Sequence, residues 1–377
     1  MRIADFGLRI APSGLRVRRP APGIGLCPAN PQSAIRNPQL LLGAVLLVCL
    51  AMACRGDRRT PLIVYSPHGR DLLTLLERRF EALHPDVDVR WLDMGSQEVY
   101  DRLRSERANP QADVWFGGPA TIFALGARDS LLEGFRPGWA EAVEPHGRGP
   151  GDLYVAAYET PAVIVYAEQA VKPEEAPRDW DDLLDPRWRG KILIRDPLAS
   201  GTMRAVWGMI IERGLKQTHD TAAGFLWLRR LDGQTKEYVL NGPLLDQKIV
   251  RQEGLVTIWD LPDILLSRRD GLPLGYVFPK SGTPVIEDAI GVVRNARHRA
   301  QAREFVEYVG SVAAQLAATR EAYRLPARLD LPVDSLPPWA REVRRVMQVA
   351  DVDWDLLAER GAGWMRYWDQ TVRGHGR

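Results

Sequence analysis

The fold is decided by residues 191–204, Lys191-Ile192-Leu193-Ile194-Arg195-Asp196-Pro197-Leu198-Ala199-Ser200-Gly201-Thr202-Met203-Arg204. Lys191 to Ile194 reads as a short apolar strand. From Met203 to Arg213, Val206, Trp207, Ile210 and Ile211 recur at helical spacing. Ser200-Gly201-Thr202 therefore sits where a strand turns into a helix. The first N–H groups of a helix have no acceptor inside it, and the helix dipole places partial positive charge there. Small hydroxyl residues and a glycine let an anion approach those donors. The plainer reading is an ordinary Ser or Thr cap. Both readings stand at this point.

Upstream, Pro61 to Ser66 reads as a buried strand, and His68-Gly69-Arg70 as a turn. Asp71 opens a helix with Leu72, Leu73, Leu75, Leu76, Phe80 and Leu83 on its apolar side, ended by Pro85. Val87 to Leu92 alternates as a strand, and Ser96 is expected to cap a helix through Arg107. Ala112 to Phe116 is a strand running into Gly117-Gly118-Pro119, with a helix over Thr121 to Ala127. This alternation predicts an α/β fold with a largely parallel sheet. Ligands of such sheets collect at the strand C-terminal ends, where Ser66, His68, Gly117 and Gly118 fall.

Downstream, Tyr154 to Tyr166 is a long strand with Thr160-Pro161 inside it, and Trp180 to Leu184 a short helix. Helices cover about 203–213 and 220–231. Strands cover Gly254 to Asp260, Leu274 to Pro279 and Ile286 to Val293. Ala300 to Ala318 reads as one amphipathic helix. Val333 to Val349 and Leu356 to Val372 read as two closing helices. The chain builds one α/β lobe, crosses to a second and returns, which makes a two-strand hinge and an interlobe cleft. The expected division is lobe 1 over 61–155 plus 283–325, and lobe 2 over 156–282 plus 326–377.

The 377 residues suit two domains. The formal net charge is +2, but six Arg and one Asp in residues 1–53 supply +5, leaving 2 − 5 = −3 on the rest. A mildly acidic body with no basic cluster interleaved with aromatics argues against nucleic acid as a partner. Leu40 to Ala53 is an unbroken apolar run, short for a membrane span but suited to the core of a signal peptide. Residues 1–53 are read as a leader and 54–60 as a tether. The long Pro- and Arg-containing stretch before the run suggests a true start further downstream. Leu50-Ala51-Met52-Ala53-Cys54 resembles a lipoprotein cleavage box, with its Leu one place early. Cleavage there would leave Cys54 to carry a lipid that tethers the chain to a membrane. Cys27 and Cys49 fall in the leader, so the body has no disulfide, no Cys metal set and no thiol catalysis.

Several segments, in order, resemble the periplasmic solute-binding proteins of ABC importers, in the family of ferric-iron, phosphonate and sugar-phosphate binders. They are VYSPHGRDL at 64–72 with the preceding Ile63, DVWFGGPA at 113–120, YETPAVIVY at 158–166, DWDDLLDPRWRGKILIRDPLASGT at 179–202 and YVFPKSGTPV at 276–285. FVEYV and YRLPAR near 305–328 add to these. The likeness covers about 61 to 370. It implies a two-lobed periplasmic-binding-protein-like fold whose ligand site draws on Ser66, His68, Gly117, Gly118, Thr160, Ser200, Gly201, Thr202, Trp259 and Asp260. The tyrosine pair by which iron-binding members close on ferric ion is replaced here by Thr257-Ile258-Trp259-Asp260-Leu261-Pro262. Ferric ion wants hard oxygen ligands, which a Trp cannot supply.

The expectation is an exported receptor, periplasmic or on the cell surface, that captures a small anionic solute by hinge closure and hands it to an ABC permease. The preferred solute carries a phosphoryl or phosphonyl group, held by the Ser200 to Thr202 turn with the Gly118 N–H and His68. Trp259 and Asp260 would read its organic part. Arg70 and Arg204 are candidate clamps, and Tyr158 and Tyr276 weaker contacts. No metal or other cofactor is expected, and the chain is expected to be a monomer. A ferric-iron receptor is the alternative. A hydrolase on the same scaffold is a second alternative, but Ser200 lacks the G-x-S-x-G elbow, and the six His are scattered. The chain is therefore read as a receptor and not an enzyme.

Overall fold

The computed structural model describes residues 59–376. The leader, Cys54 and most of the tether lie outside the described residues. In chain order the elements begin with β1 (Thr60–Ser66), α1 (Arg70–Leu83), β2 (Val87–Asp93), α2 (Ser96–Glu106), β3 (Val114–Pro119), α3 (Ala120–Arg128) and β4 (Leu132–Glu133). Then come β5 (Val155–Ala167), β6 (Ile192–Arg195), α4 (Gly201–Thr218), α5 (Ala222–Gln234), β7 (Thr235–Val239), α6 (Gly242–Val250), β8 (Val256–Asp260) and α7 (Leu261–Arg269). The chain closes with β9 (Leu274–Val277), β10 (Val285–Val293), α8 (Arg299–Val309), α9 (Val312–Ala322), β11 (Leu325–Pro326), α10 (Pro338–Val346) and α11 (Trp354–Thr371).

The α/β class read from the alternation holds, but the sheet is mixed rather than largely parallel. Its order is β2-β1-β3-β10-β5-β8-β6-β7. β1 runs parallel to β2 and β3, and β6 parallel to β7 and β8. Between these parallel halves, β10 lies antiparallel to β3 and β5, and β5 antiparallel to β8 and β9. A chain that leaves one lobe and returns must run strands both ways through the middle.

β5 carries the join. Its first half pairs with β10 as far as Pro161, and from Ala162 onward it pairs with β8 and β9. Cores form on both sides of this point. Leu62, Val64, Phe80, Phe116 and Phe305 pack in one, while Tyr65, Trp115 and Phe123 cover the other face of the same strands. Ile164, Ile194, Trp207, Ile258 and Trp368 pack in the second lobe. Trp207 and Trp368 meet edge to face at 5.9 Å between centroids. Each fully buried side chain of this size stabilises its lobe by roughly 1.5–3 kcal/mol.

Three sequence expectations are corrected. Gly95, not Ser96, is the N-cap of α2, and it provides no side-chain bond. Ala300 to Ala318 is not one helix: Gly310 ends α8, and Ser311 caps α9 by accepting from Ala314 N–H at 3.2 Å. Val333 to Val349 shortens to a single turn at Val333–Ser335 followed by α10. Among the described residues, no helix is long and apolar enough to cross a membrane.

Candidate functional site

A cavity of about 780 Å³ opens where the two halves of the sheet meet. Its wall collects the N-terminal ends of several helices: Gly69 and Arg70 of α1, Gly95 and Ser96 of α2, Ser200 to Thr202 of α4, Asn241 and Gly242 of α6, and Asp260 before α7. Each end brings N–H groups without intrahelical acceptors. The ends of α2 and α4 face each other closely. A Cβ added to Gly201 would lie 2.4 Å from Pro119 Cδ and 3.0 Å from Ser96 Oγ, and one on Gly95 would lie 2.9 Å from the Ala199 oxygen.

Arg195 ends β6 beside this junction and lines the cavity. It is 7% exposed, yet among the described residues it makes no ion pair. Its Nη1 donates to the Val239 carbonyl at 3.3 Å. Asp196, its neighbour in sequence, is taken by Arg373 at 2.9 Å. Burial lowers the Arg195 pKa, with Asp196 and Asp260 acting in the opposite sense. Arg324, the second buried guanidinium of the cavity, is paired: its Nη2 donates to Asp263 Oδ1 at 3.1 Å and to the His68 carbonyl at 3.2 Å.

Carboxylates outnumber guanidinium groups in the lining, which an anion-binding site read from sequence did not anticipate. The deep ones are held by neighbours or pushed toward the neutral form. Burial raises Asp260 to about 8, reinforced by Asp263 and opposed by the Thr202 side chain. Asp260 Oδ1 has no partner. Burial raises Asp246 to about 7, against the pull of the Ser267 hydroxyl, which donates to it at 2.7 Å. Asp288 is raised to about 6 by burial, while Thr160 Oγ1 donates to it at 2.5 Å and Gly118 N at 3.2 Å.

Seven of the ten residues expected at the site line the cavity: His68, Thr160, Ser200, Gly201, Thr202, Trp259 and Asp260. Ser66, Gly117 and Gly118 do not. The Ser66 hydroxyl oxygen is buried and accepts from His68 N–H at 3.2 Å, so it shapes the turn. Gly117 and Gly118 take φ of +94° and +96°, and a Cβ on Gly117 would meet His68 Nε2 at 2.4 Å. Gly117 makes room for the imidazole, while a Cβ on Gly118 would lie 3.1 Å from the Ser96 side chain. The Gly118 N–H expected to greet an anion is already spent on Asp288.

Ser200 is a genuine cap: its Oγ accepts from Met203 N–H at 3.3 Å. The capping and anion readings are thus compatible, since the N–H groups of Gly201 and Thr202 remain first-turn donors. His68 is buried against Phe116 and Tyr158 and held neutral, chiefly by burial and then by Arg324. Arg204 is no clamp. Its Nε and Nη2 donate to the Pro197 and Leu198 carbonyls at 3.2 and 2.8 Å and fix the loop before α4. Arg70 stands exposed on the cavity wall. Tyr158 is buried away from the wall, and Tyr276 lies outside it.

Sequence reasoning missed Arg195, Arg324, Asp263 and Asp288. Arg324 was inside the quoted YRLPAR segment, and Arg195 inside the quoted stretch at 191–204. Position at a strand's C-terminal end was the available signal for Arg195.

Two lobes, a crossing pair of central strands and a solute-sized cavity between them define a two-lobed binding protein. A profile of the family described as bacterial extracellular solute-binding protein matches residues 138–359. The "Probable ABC transporter periplasmic-binding protein y4fP" of Sinorhizobium fredii is 25% identical over 334 residues, covering 88% of this chain and 90% of its own. "Iron uptake protein A1" of Synechocystis is 25% identical over 263 residues, covering 66% and 71%. The periplasmic binding protein AfuA of Actinobacillus pleuropneumoniae, solved with fructose-6-phosphate, superposes with a TM-score of 0.75 at 23% identity, covering 84% of this chain and 99% of that one. The chain belongs to the bacterial extracellular solute-binding protein family, with relatives among the periplasmic receptors of ABC importers.

Proposed function

We propose that this chain is the extracytoplasmic receptor of an ABC importer and closes its lobes on a small solute bearing a phosphoryl or phosphonyl group. Buried Arg195, without a carboxylate partner among the described residues, carries this reading. An ion removed from water costs several kcal/mol unless a counter-charge offsets it. A dianionic group placed between the facing ends of α2 and α4 would supply that charge, and first-turn N–H groups would complete its hydrogen bonds. Closure is needed because α2 belongs to one lobe and α4 to the other.

The organic part of the solute would lie toward Trp259, Asp260 and Asp246. A neutral Asp260 can donate to a hydroxyl or phosphoryl oxygen, and an ionised one can accept from a hydroxyl or an ammonium. The lobes are taken as 61–155 plus 283–325 and 156–282 plus 326–377, hinged at β5 and β10. The receptor would act as a monomer outside the cytoplasm, tethered through lipid on Cys54, with an inner-membrane permease as its partner. In this reading the chain is a receptor and not an enzyme, and Ser200 serves as a cap.

A second reading, ferric iron, has the iron-uptake relative behind it and the oxygen-rich cavity wall. Among the described residues, no group of three or more His, Cys, Asp or Glu is placed to hold a metal. An iron ion here would therefore take oxygen ligands from a co-bound anion. Calorimetric titration with a hexose phosphate, an aminoalkylphosphonate and ferric citrate separates the readings. The proposal expects saturable binding of an organophosphorus solute, lost in Arg195→Gln. Binding of ferric citrate alone, untouched by that substitution, overturns it.

A further inference from the structure

Arg269, the last residue of α7, reaches from one core to the other. α7 belongs to the second lobe, where its Leu261 and Ile264 join the core. Its Leu266 and Ser267 line the cavity, so α7 forms part of the wall. From the end of that wall, Arg269 Nη2 donates to Asp71 Oδ1 at 3.2 Å and Nη1 to the Glu321 carbonyl at 3.3 Å. Asp71 lies in the first turn of α1 and Glu321 in the last turn of α9. Their neighbours Leu72 and Ala322 are packed in the first-lobe core. Arg269 Nε donates to Asp270 Oδ1 at 2.9 Å, within the second lobe. All three nitrogens are therefore engaged, two of them across the lobes. Both cross-lobe acceptors suit a cation. Asp71 is a carboxylate, and the last carbonyls of a helix lack intrahelical donors and carry its partial negative charge. Asp71, Asp270 and Leu272 line the cavity, so this junction borders the site.

We propose that Arg269 is a latch, a positioning residue that ties the α7 wall to the first lobe and sets how often the cleft opens. Lobes that part as bodies carry α7 away from α1 and α9, so both cross-lobe bonds break on opening. They form between groups of the chain itself and need no solute. An exposed ion pair adds little to the stability of a fold. The same small energy matters more between two arrangements of one folded chain, because it multiplies their population ratio directly. Arg79 on α1 supplies the contrast. It pairs with the Glu321 carboxylate at 2.6 Å, inside the first lobe. Its side chain is 49% exposed against 39% for Arg269, so the two cations differ chiefly in whether they cross.

This inference rests on the two-lobed architecture and not on the identity of the solute, so its test uses none. Double electron–electron resonance on the full chain measures the populations of lobe separations. Spin labels are carried by Arg78→Cys on α1 and Arg251→Cys just beyond α6, both exposed positions, in a Cys27→Ser, Cys49→Ser, Cys54→Ser background. Arg269→Gln should raise the ratio of long to short separations about 3–5-fold. Arg79→Gln should leave that ratio unchanged, with both variants melting at similar temperatures. Arg269→Lys should recover part of the effect, since an ammonium still reaches one acceptor. A distribution in Arg269→Gln that matches its parent, or that Arg79→Gln reproduces, overturns the proposal.

Discussion

Arg195 reaches the Val239 carbonyl oxygen at 3.3 Å, so the cation at the end of β6 is met by a backbone dipole and not by a carboxylate. This arrangement suits a receptor that waits for an anion. Arg195→Gln should raise the thermal stability of the solute-free protein, because a buried unpaired charge is removed. The same change should weaken an organophosphorus solute by about 2 kcal/mol, or ~30-fold. Differential scanning fluorimetry and calorimetry on one preparation check both signs. A loss of stability with unchanged affinity would make Arg195 a structural residue.

Gly201 tests the closure geometry. Its added Cβ would meet the Pro119 ring at 2.4 Å, and a proline ring yields little. Gly201→Ala should cost about 1–3 kcal/mol in the closed form. The lobes can relieve the clash by parting, so solute affinity should fall more than melting temperature does. Equal falls would place the strain inside one lobe.

Gly117 is constrained twice, by its φ of +94° and by His68 Nε2 at 2.4 Å from a Cβ. Gly117→Ala should destabilise the fold by roughly 1–3 kcal/mol. Adding His68→Ala, which vacates the space, should restore the packing share of that loss but not the backbone share. A fully additive double mutant would contradict this account.

Asp260 sets a pH dependence of stability. Its folded pKa of about 8 lies above the ordinary 3.8. The folded state therefore keeps a proton that the unfolded chain releases, and stability falls as pH rises through that window. Asp260→Asn should flatten the decline and stabilise the protein at pH 8 by at least about 1 kcal/mol. Urea unfolding at pH 5 and pH 8 measures it. An unchanged slope would show that Asp260 ionises freely.

Arg324 crosses from the β11 side of the hinge to Asp263 on α7, at 3.1 Å. Arg324→Ala should destabilise by about 1–2 kcal/mol, since it leaves the half-buried Asp263 without its cation and removes a donor from the His68 carbonyl. Asp263→Asn should cost less, because the amide oxygen can still accept. Chemical denaturation of both variants settles the order.

Much of this molecule was legible from local pattern. The strand–turn–helix at 191–204, the early β-α alternation and the crossing at Thr160-Pro161 all left a periodic or turn signal. The mixed sheet did not, because strand direction in the centre depends on which lobe the chain is returning to. TKEYV at 235–239 carries Lys and Glu on an outer strand and shows little apolar run, so β7 was passed over. The break between α8 and α9 hid beneath a continuous apolar stripe, although Gly310-Ser311 marked it. At the site, Ser200 to Thr202 and Asp260 were legible as strand and helix ends. The Gly118 amide was misread because its acceptor, Asp288, lies 170 positions away in the chain. Arg195 was missed because sequence does not show which of several arginines is buried without a partner.

The central claim is that this receptor holds an organophosphorus solute against Arg195. Native mass spectrometry of the chain, purified without added solute and then denatured, tests it most directly. The account predicts a released small molecule containing phosphorus, absent from Arg195→Gln prepared in parallel. A released iron ion retained by Arg195→Gln would contradict it.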